Sequence, residues 1–330
     1  MTGKAGRMVA VVVTFNRLDQ LKVTLPRLLE SSAQVLEAVL VIDNASTDDT
    51  AGWLAAQTDP RLRVHRCATN RGGAGGFETG MMLAARDYDP DWVLVMDDDA
   101  RPEPGALETF QSRDRSEAEA WAAAVYHPGG RICDMNRPSI NPFWHREVLL
   151  RTLRGKGRDG FHLSAPHYAA DAPTEIDGTS FVGFFISRAG LARVGYPDGS
   201  LFLYGDDVLY TLSLTRAGGR ILFDPAIHFE HDFSTMTEED RRFRPLWKSY
   251  YHYRNLLMVY RMASGPFFVL VLPAAALKWL AKVRHHKGEA RAFTLYVLRA
   301  LRDGALRRTG VDHDTVLSWD TTRAQDGGKR

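Results

Sequence analysis

Three consecutive aspartates, Asp97, Asp98 and Asp99, end the apolar run "WVLVM" that begins at Trp92. Alternate side chains of an extended chain leave the same face, so Asp97 and Asp99 can share one site while Asp98 points elsewhere. Adjacent carboxylates repel one another. A hard dication such as Mg²⁺ or Mn²⁺ relieves that repulsion and keeps coordination positions open for substrate phosphates. The competing reading is a polar loop or a helix cap, favoured by Pro102 and Glu103 just downstream.

Other polar clusters also follow apolar runs. Thr14, Asn16 and Arg17 end "MVAVVVTF". Asp43 ends "AVLVID", where its carboxylate can accept hydrogen bonds from a base N–H or a ribose hydroxyl; a turn or cap is the alternative. The stretch "ATNRGGAGGFETG" follows a third run. Its glycines permit close backbone approach, and a helix N-terminus just beyond favours phosphate. It is not the dinucleotide fingerprint G-x-G-x-x-G.

The elements that must position these residues are short apolar strands (8–15, 38–43, 61–66, 91–97) alternating with helical periodicity (18–31, 48–57, 75–88). Continuous apolar strands alternating with helices predict a mostly parallel sheet covered on both faces, with ligands beyond the carboxyl ends of its strands. Residues 127–175 interrupt the rhythm with turn-rich segments and read as a lid or insertion. A strand and helix then resume from "IDGTSFVGFFISRAGLARVG", followed by a helix at 206–217, two short strands (220–224, 227–232) and a largely helical end.

Composition is that of a globular protein, and a net charge of +2 over 330 residues does not suggest a nucleic-acid partner. The charge is uneven. Residues 241–310 carry 15 Lys and Arg against Glu289 and Asp303, which points to an anionic partner for that part. Cys67 and Cys133 lack metal-ligand spacing and fit a reducing compartment. The N-terminal apolar stretch reads as a first buried strand rather than a signal peptide. In "GPFFVLVLPAAALKWLAKVRHH" (265–286) the apolar core is short for a bilayer span and is interrupted by Pro273 and Lys278. With Trp279, Lys282 and Arg284 beside it, the segment reads as an interfacial anchor on an anionic membrane surface; a buried helix or dimer face is the alternative.

In order, "VTFNR", "IDNASTD", "NRGGAGG" and "MDDDA" resemble the donor site of glycosyltransferase family 2, over about the first 110 residues. The resemblance implies the GT-A fold: a Rossmann-like, mostly parallel mixed α/β sheet flanked by helices. It divides the chain into a transferase domain at 1–240 (donor half 1–110, acceptor half 111–240) and a basic helical region at 241–330. It implies a nucleotide-sugar site of Thr14, Phe15, Asn16, Arg17, Asp43, Asn70, Gly73, Asp97 and Asp98. Mn²⁺ or Mg²⁺ would be held by Asp97, Asp99 and His231, with His228 the alternative histidine. "GDDVLYTLSLTRAGGR" resembles the family's acceptor-side block, in which an acidic pair opens a helix. Asp207 is the expected general base and Asp206 an acceptor-positioning residue, with helix capping the other role for either. Phe143 and Trp144 are expected against the acceptor.

Among family members, galactofuranosyltransferases are the most similar in their DDD run, "FFIS" strand and acid-to-histidine spacing. The chain departs from them in its length and in Phe181 and Gly183, where they carry paired tryptophans. "YYHYRNLLMVYR" is similar to rhamnosyltransferases of the same family. The expected activity is inverting transfer of a sugar from a nucleotide donor to a glycan or polyprenyl-linked glycan. UDP-galactofuranose is the first choice of donor and dTDP-rhamnose the second, at the cytoplasmic face of the inner membrane. A nucleotidyltransferase would carry its glycine-rich loop after the first strand, where this chain has "TFNR". A non-catalytic scaffold would have no use for a general base.

Overall fold

The computed structural model describes residues 6–232 and 243–321. They divide into two compact units, 6–199 with 207–232 and 200–206 with 243–321. The expected boundary at 240/241 lies outside the described residues.

In the first unit, strands β1 (Met8–Thr14), β2 (Ala38–Asp43), β3 (Leu62–Arg66) and β4 (Trp92–Asp97) form the parallel half of a nine-stranded sheet. The other strands are β5 (Ala100–Pro102), β6 (Ala120–Tyr126), β7 (Thr174–Ile176), β8 (Phe184–Ser187) and β9 (Ile221–His231). The order is β3-β2-β1-β4-β8-β6-β9-β5, with β7 also on β9. Strand β8 runs antiparallel to β4 and β6, while β6 and β9 are parallel, so the sheet is mixed. Both faces are covered. Met8, Ala10 and Val12 of β1 pack with Leu21, Leu25 and Leu28 of α1 (Leu18–Leu29). Val9, Val11 and Val13 face Phe77, Met81 and Ala84 of α3 (Gly72–Tyr88), which follows the short α2 (Thr50–Ala55). This two-sided burial is why the strands read as continuous apolar runs.

Glycines explain how closely α3 lies on the sheet. A Cβ on Gly76 would come within 2.5 Å of Val13, and one on Gly80 within 2.3 Å of Val11. These glycines serve helix–strand packing rather than a phosphate loop, and the helix starts at Gly72, three residues before its expected start.

Three further differences have local causes. The alanine-rich "AWAAAVY" forms β6, because a central strand buried on both faces accepts small side chains that would otherwise favour a helix. The two strands expected at 220–224 and 227–232 are one strand, β9. Its register on β6 shifts between Ala123 and Ala124, an irregularity that takes up Pro225, Ala226 and Ile227. The 127–175 insertion holds short helices, α5 (Arg146–Arg151) and α6 (Ala165–Tyr168), besides turns. Helices α4 (Ala106–Ser112) and α7 (Arg188–Val194) complete the flanks, and α8 begins at the junction of the units (Asp206–Arg216).

The second unit is helical: α9 (Lys248–Ser264), α10 (Phe268–Leu280), α11 (Ala290–Ala305) and α12 (His313–Thr321). Buried Arg254 and Asn255 of α9 bind the segment before Asp206. Asn255 donates to the carbonyls of Leu201, Leu203 and Tyr204 at 2.8–3.0 Å, and Arg254 donates to that of Leu201 at 2.7 Å. This fixes a segment in which Phe202 and Tyr204 have positive φ.

Candidate functional site: an acidic cluster at the end of β4

The carboxyl ends of β1, β2 and β4 bring most of the expected donor residues together. Pairing of Val13 with Asp97 and of Thr14 with Asp43 sets their levels on the sheet. Thr14 donates to Asp98 Oδ2 at 2.7 Å, and Thr24 donates to the Asp98 carbonyl at 2.6 Å. The Arg17 guanidinium bridges Asp98, at 3.3 Å, and Asp99. Asp98 is thus anchored on Thr14 and shares the Arg17 guanidinium with Asp99. Burial, countered by Arg17, pushes its carboxyl up to about 6.

Asp99 is buried between Arg17 and His231, whose Nε2 lies 3.1 Å from Asp99 Oδ1. Burial opposes its ionisation, but the contacts with His231 and Arg17 prevail and hold the carboxyl below its ordinary range. Burial likewise works against a charged His231, and Asp99 overcomes it, raising the imidazole to about 9. The other ring nitrogen, Nδ1, lies 2.8 Å from Asn136 Oδ1. Asp97 has no hydrogen-bond or ion-pair partner among the described residues, and burial beside Asp99 pushes it up to about 7.

The expected three-ligand set is thus only partly assembled. Among the described residues no three His, Cys, Asp or Glu side chains are grouped to hold a metal ion, and Asp99 instead contacts both His231 and Arg17. The chemistry of the donors still fits a hard dication. Asp97 is free, Asp99 is adjacent, and His231 has its Nδ1 fixed by Asn136, the usual arrangement behind a ligating imidazole. His228 lies elsewhere, against Glu103 at 3.3 Å and the Pro225 carbonyl at 2.9 Å.

Around the cluster, Asn16, in a left-handed conformation, accepts from the Thr47 backbone at 2.7 Å and so ties the β1 and β2 loops together. Phe15 is exposed beside it. Asp43 is fully buried. Its Oδ1 accepts from the Ser46 backbone at 2.8 Å, while Oδ2 has no hydrogen-bond donor and only the Arg66 guanidinium at 3.6 Å. Asn44 binds Asn70 Oδ1 at 3.0 Å, the Gly72 carbonyl at 2.8 Å and the Arg71 backbone N–H at 2.9 Å, shaping the loop before α3. Gly73 has open space where a side chain would project, apart from the edge of Phe77.

Asp207 lies at the same end of the sheet. Its carboxylate takes a backbone hydrogen bond from Val208 at 2.7 Å and another at Phe181, just before β8 pairs with β4. Burial pushes it up to about 6. Asp206 is buried at the first position of α8. Phe181 is core, packed on Phe77, Phe184 and Tyr210. Gly183 has φ +67°, and a Cβ there would meet Ala123 at 2.7 Å, which excludes a tryptophan at that position. Phe143 and Trp144 are half-buried in the insertion, next to a separate cavity below β7.

Asn136, Asn44 and Thr24 were missed from the sequence. Asn44 sat beside Asp43 in a recognised motif. Asn136 lies in the turn-rich insertion, and only the fold brings it to His231.

The sequence model described as Glycosyl transferase family 2 matches residues 9–167, which contain β1 to β4 and the three aspartates. Residues 9–167 are a glycosyltransferase family 2 domain. The galactofuranosyltransferase GlfT1 of Mycobacterium tuberculosis is 29% identical over 63% of this chain and 64% of its own length. GlfT2 of Mycolicibacterium smegmatis is 26% identical over 76% of this chain and 40% of its own. The chain thus spans less than two thirds of the length of these curated relatives. A Pyrobaculum calidifontis mannosyltransferase, solved with GDP-Man and Mn²⁺, superposes with a TM-score of 0.51 at 17% identity, covering 93% of this chain and 88% of that one. At that identity the likeness bears on the fold alone, and the fold is GT-A. The first unit carries the expected mixed sheet, and the second unit is helical.

Proposed function

We propose that this protein is an inverting, metal-dependent glycosyltransferase that transfers galactofuranose from UDP-galactofuranose to a glycan or lipid-linked glycan. The reading is carried by the unpartnered Asp97 next to the Asp99–His231 pair, at the same end of the sheet as Asp207. The curated relatives named as galactofuranosyltransferases support the choice of sugar.

Asp97, Asp99 and His231 would hold Mn²⁺ or Mg²⁺, which supplies neutralisation of the departing diphosphate. The free Asp43 Oδ2 would accept a hydrogen bond from the nucleoside, and the loop shaped by Asn44, Asn70 and Gly73 would follow the donor. Asp207, at about 6, is mostly ionised at neutral pH and would take the proton of the acceptor hydroxyl as it attacks the anomeric carbon. Attack opposite the leaving diphosphate inverts that carbon.

Thermal-shift measurements with nucleoside diphosphates, with and without Mn²⁺, test this first. UDP should raise the transition only with metal present, and Asp99→Ala should remove the effect. A preference for dTDP would replace galactofuranose with rhamnose, and no response to any nucleotide would end the transferase reading. Asp97→Ala should abolish transfer, and wild-type rates in that variant would remove the metal assignment.

We also place the second unit on an anionic membrane surface at the cytoplasmic face. By length and composition, 248–285 is apolar enough to cross a membrane, but Gly265, at φ +52°, divides it into α9 and α10. The 13 residues of α10 span about 20 Å at the helical rise, short of the bilayer core. Val269, Leu270 and Leu277 are exposed on it and Phe267 just before it, with Lys278 and Arg284 nearby. Sedimentation with anionic liposomes at low salt should capture the protein; its absence from the pellet would remove the membrane role.

A further inference from the structure

A cavity of about 480 Å³ opens in the first unit, far from the aspartates. Trp144, His145, Arg146 and Glu147 line it from the insertion, and Glu175 and Asp177 from β7 and its end. Ile176 pairs with Ile221, the first residue of β9, and His231 is the last. On β6 that interval covers Ala120–Tyr126, so the cavity and the acidic cluster lie about 20 Å apart at the ordinary strand rise.

Its lining is unusual in being poorly engaged. Asp177 is 6% exposed, and its Oδ2 accepts from the Asn141 backbone at 2.6 Å and faces His145 Nε2 at 2.9 Å. Its Oδ1 has no partner among the described residues. That oxygen reaches solvent, so a ligand hydroxyl can take the place of its water. Arg146, Glu147 and the Trp144 indole likewise make no hydrogen bond or ion pair among the described residues. Trp144 has no aromatic neighbour either, so a ring face is available.

The chemistry selects a ligand class. Three acids outnumber one arginine, which disfavours phosphates and other anions. Glu175 is held 2.8 Å from Arg220, so the acids do not converge as a cation centre. What remains is a neutral, polyhydroxylated ligand: hydroxyls for carboxylates, imidazole and guanidinium, and a C–H face for the indole. We infer that this cavity is a second glycan-binding subsite, remote from the transfer site, which holds a distant part of an oligosaccharide. That the oligosaccharide is the acceptor rests on the transferase reading; that it binds here does not.

Saturation-transfer NMR with galactofuranosyl, mannosyl and rhamnosyl trisaccharides, without nucleotide or metal, reads binding alone. Wild-type protein should transfer saturation to at least one of them, and Trp144→Ala should lose that signal while melting cooperatively by circular dichroism. Glu147→Lys, at an exposed position without contacts, should lose it too, and decides the matter if the tryptophan variant does not fold. Absence of transfer to all three sugars overturns the inference. So does a full signal in Trp144→Ala, or in Glu147→Lys where that variant decides. Neither result bears on the nucleotide-dependent thermal shift, so failure here stays distinct from failure of the transferase reading.

Discussion

The two ends of β9 handle polar groups in opposite ways. At His231 the charges are buried and mutually engaged: imidazole on Asp99, Asn136 behind the imidazole, Arg17 across two carboxylates, with Asp97 alone left over. Near Ile221 the insertion holds a half-buried Trp144 and exposed Arg146 and Glu147, whose side chains make no hydrogen bond or ion pair among the described residues, around one buried carboxylate. The first arrangement fixes geometry in advance and suits a step that tolerates little displacement. The second leaves side chains free to adapt, which suits recognition of a ligand that has many hydroxyls and little charge.

If that contrast holds, variants at the upper end act on turnover. Asp207→Asn keeps the shape of the side chain and removes the base. It should lower kcat by about 10²–10⁴-fold, measured as initial rates of transfer, with the UDP-dependent thermal shift retained. Full turnover would move the base to Asp206 or elsewhere. Asn136→Ala should weaken Mn²⁺ binding by roughly 10–100-fold, the usual cost of losing the partner of a ligating histidine, as read by calorimetric titration in the presence of UDP. Unchanged affinity would make His231 a partner of Asp99 only.

The same end should respond to pH. Asp97, raised to about 7, and His231, raised to about 9, must both lose protons to act as ligands. Mn²⁺ affinity therefore rises with pH through 7, by up to about tenfold per unit for each proton displaced. Below pH 6 both groups are protonated and binding is weakest. Flat affinity between pH 6 and 8 would exclude Asp97 as a ligand. The Asp207 carboxylate adds a fall in kcat below about 6 as it becomes protonated.

How much of this was legible in the sequence follows from the same contrast. Strands β1, β2 and β4 are buried on both faces, so their apolar runs announced them, and the polar residues at their ends stood out. Asp97 and Asp99 stood out because charge at the end of a buried strand is anomalous, whereas His231 joined them only through the family resemblance. The second half was harder. Strand β6 is alanine-rich, and Pro225 split β9 in the reading, although a register shift carries the strand through. Asn136 reaches His231 only because the insertion folds back across 95 positions of sequence. The glycine-rich stretch was recognised, but Gly76 and Gly80 proved to serve the packing of α3 on β1. No local pattern distinguishes a glycine that admits a ligand from one that admits a neighbouring strand.

The smallest effect lies at the lower end and concerns stability. Glu175 pairs with Arg220 at 2.8 Å, and both are largely exposed. Such a pair is screened by solvent and contributes little, so Glu175→Gln should move the melting temperature by less than about 2 °C. Asp99→Ala is different, because it strips a buried histidine of the carboxylate that keeps it charged and removes one of Arg17's carboxylate partners. It should lower the melting temperature by several degrees, and more at pH 6 than at pH 8, because the stability a charged His231 draws from Asp99 is full below the imidazole's ordinary pKa and fades as pH rises towards about 9. Scanning calorimetry of the two variants at pH 6 and 8 reads this directly. Equal shifts in both would mean that the upper cluster is as loosely held as the lower cavity, and the distinction between a fixed chemical site and an adaptable binding surface would fall.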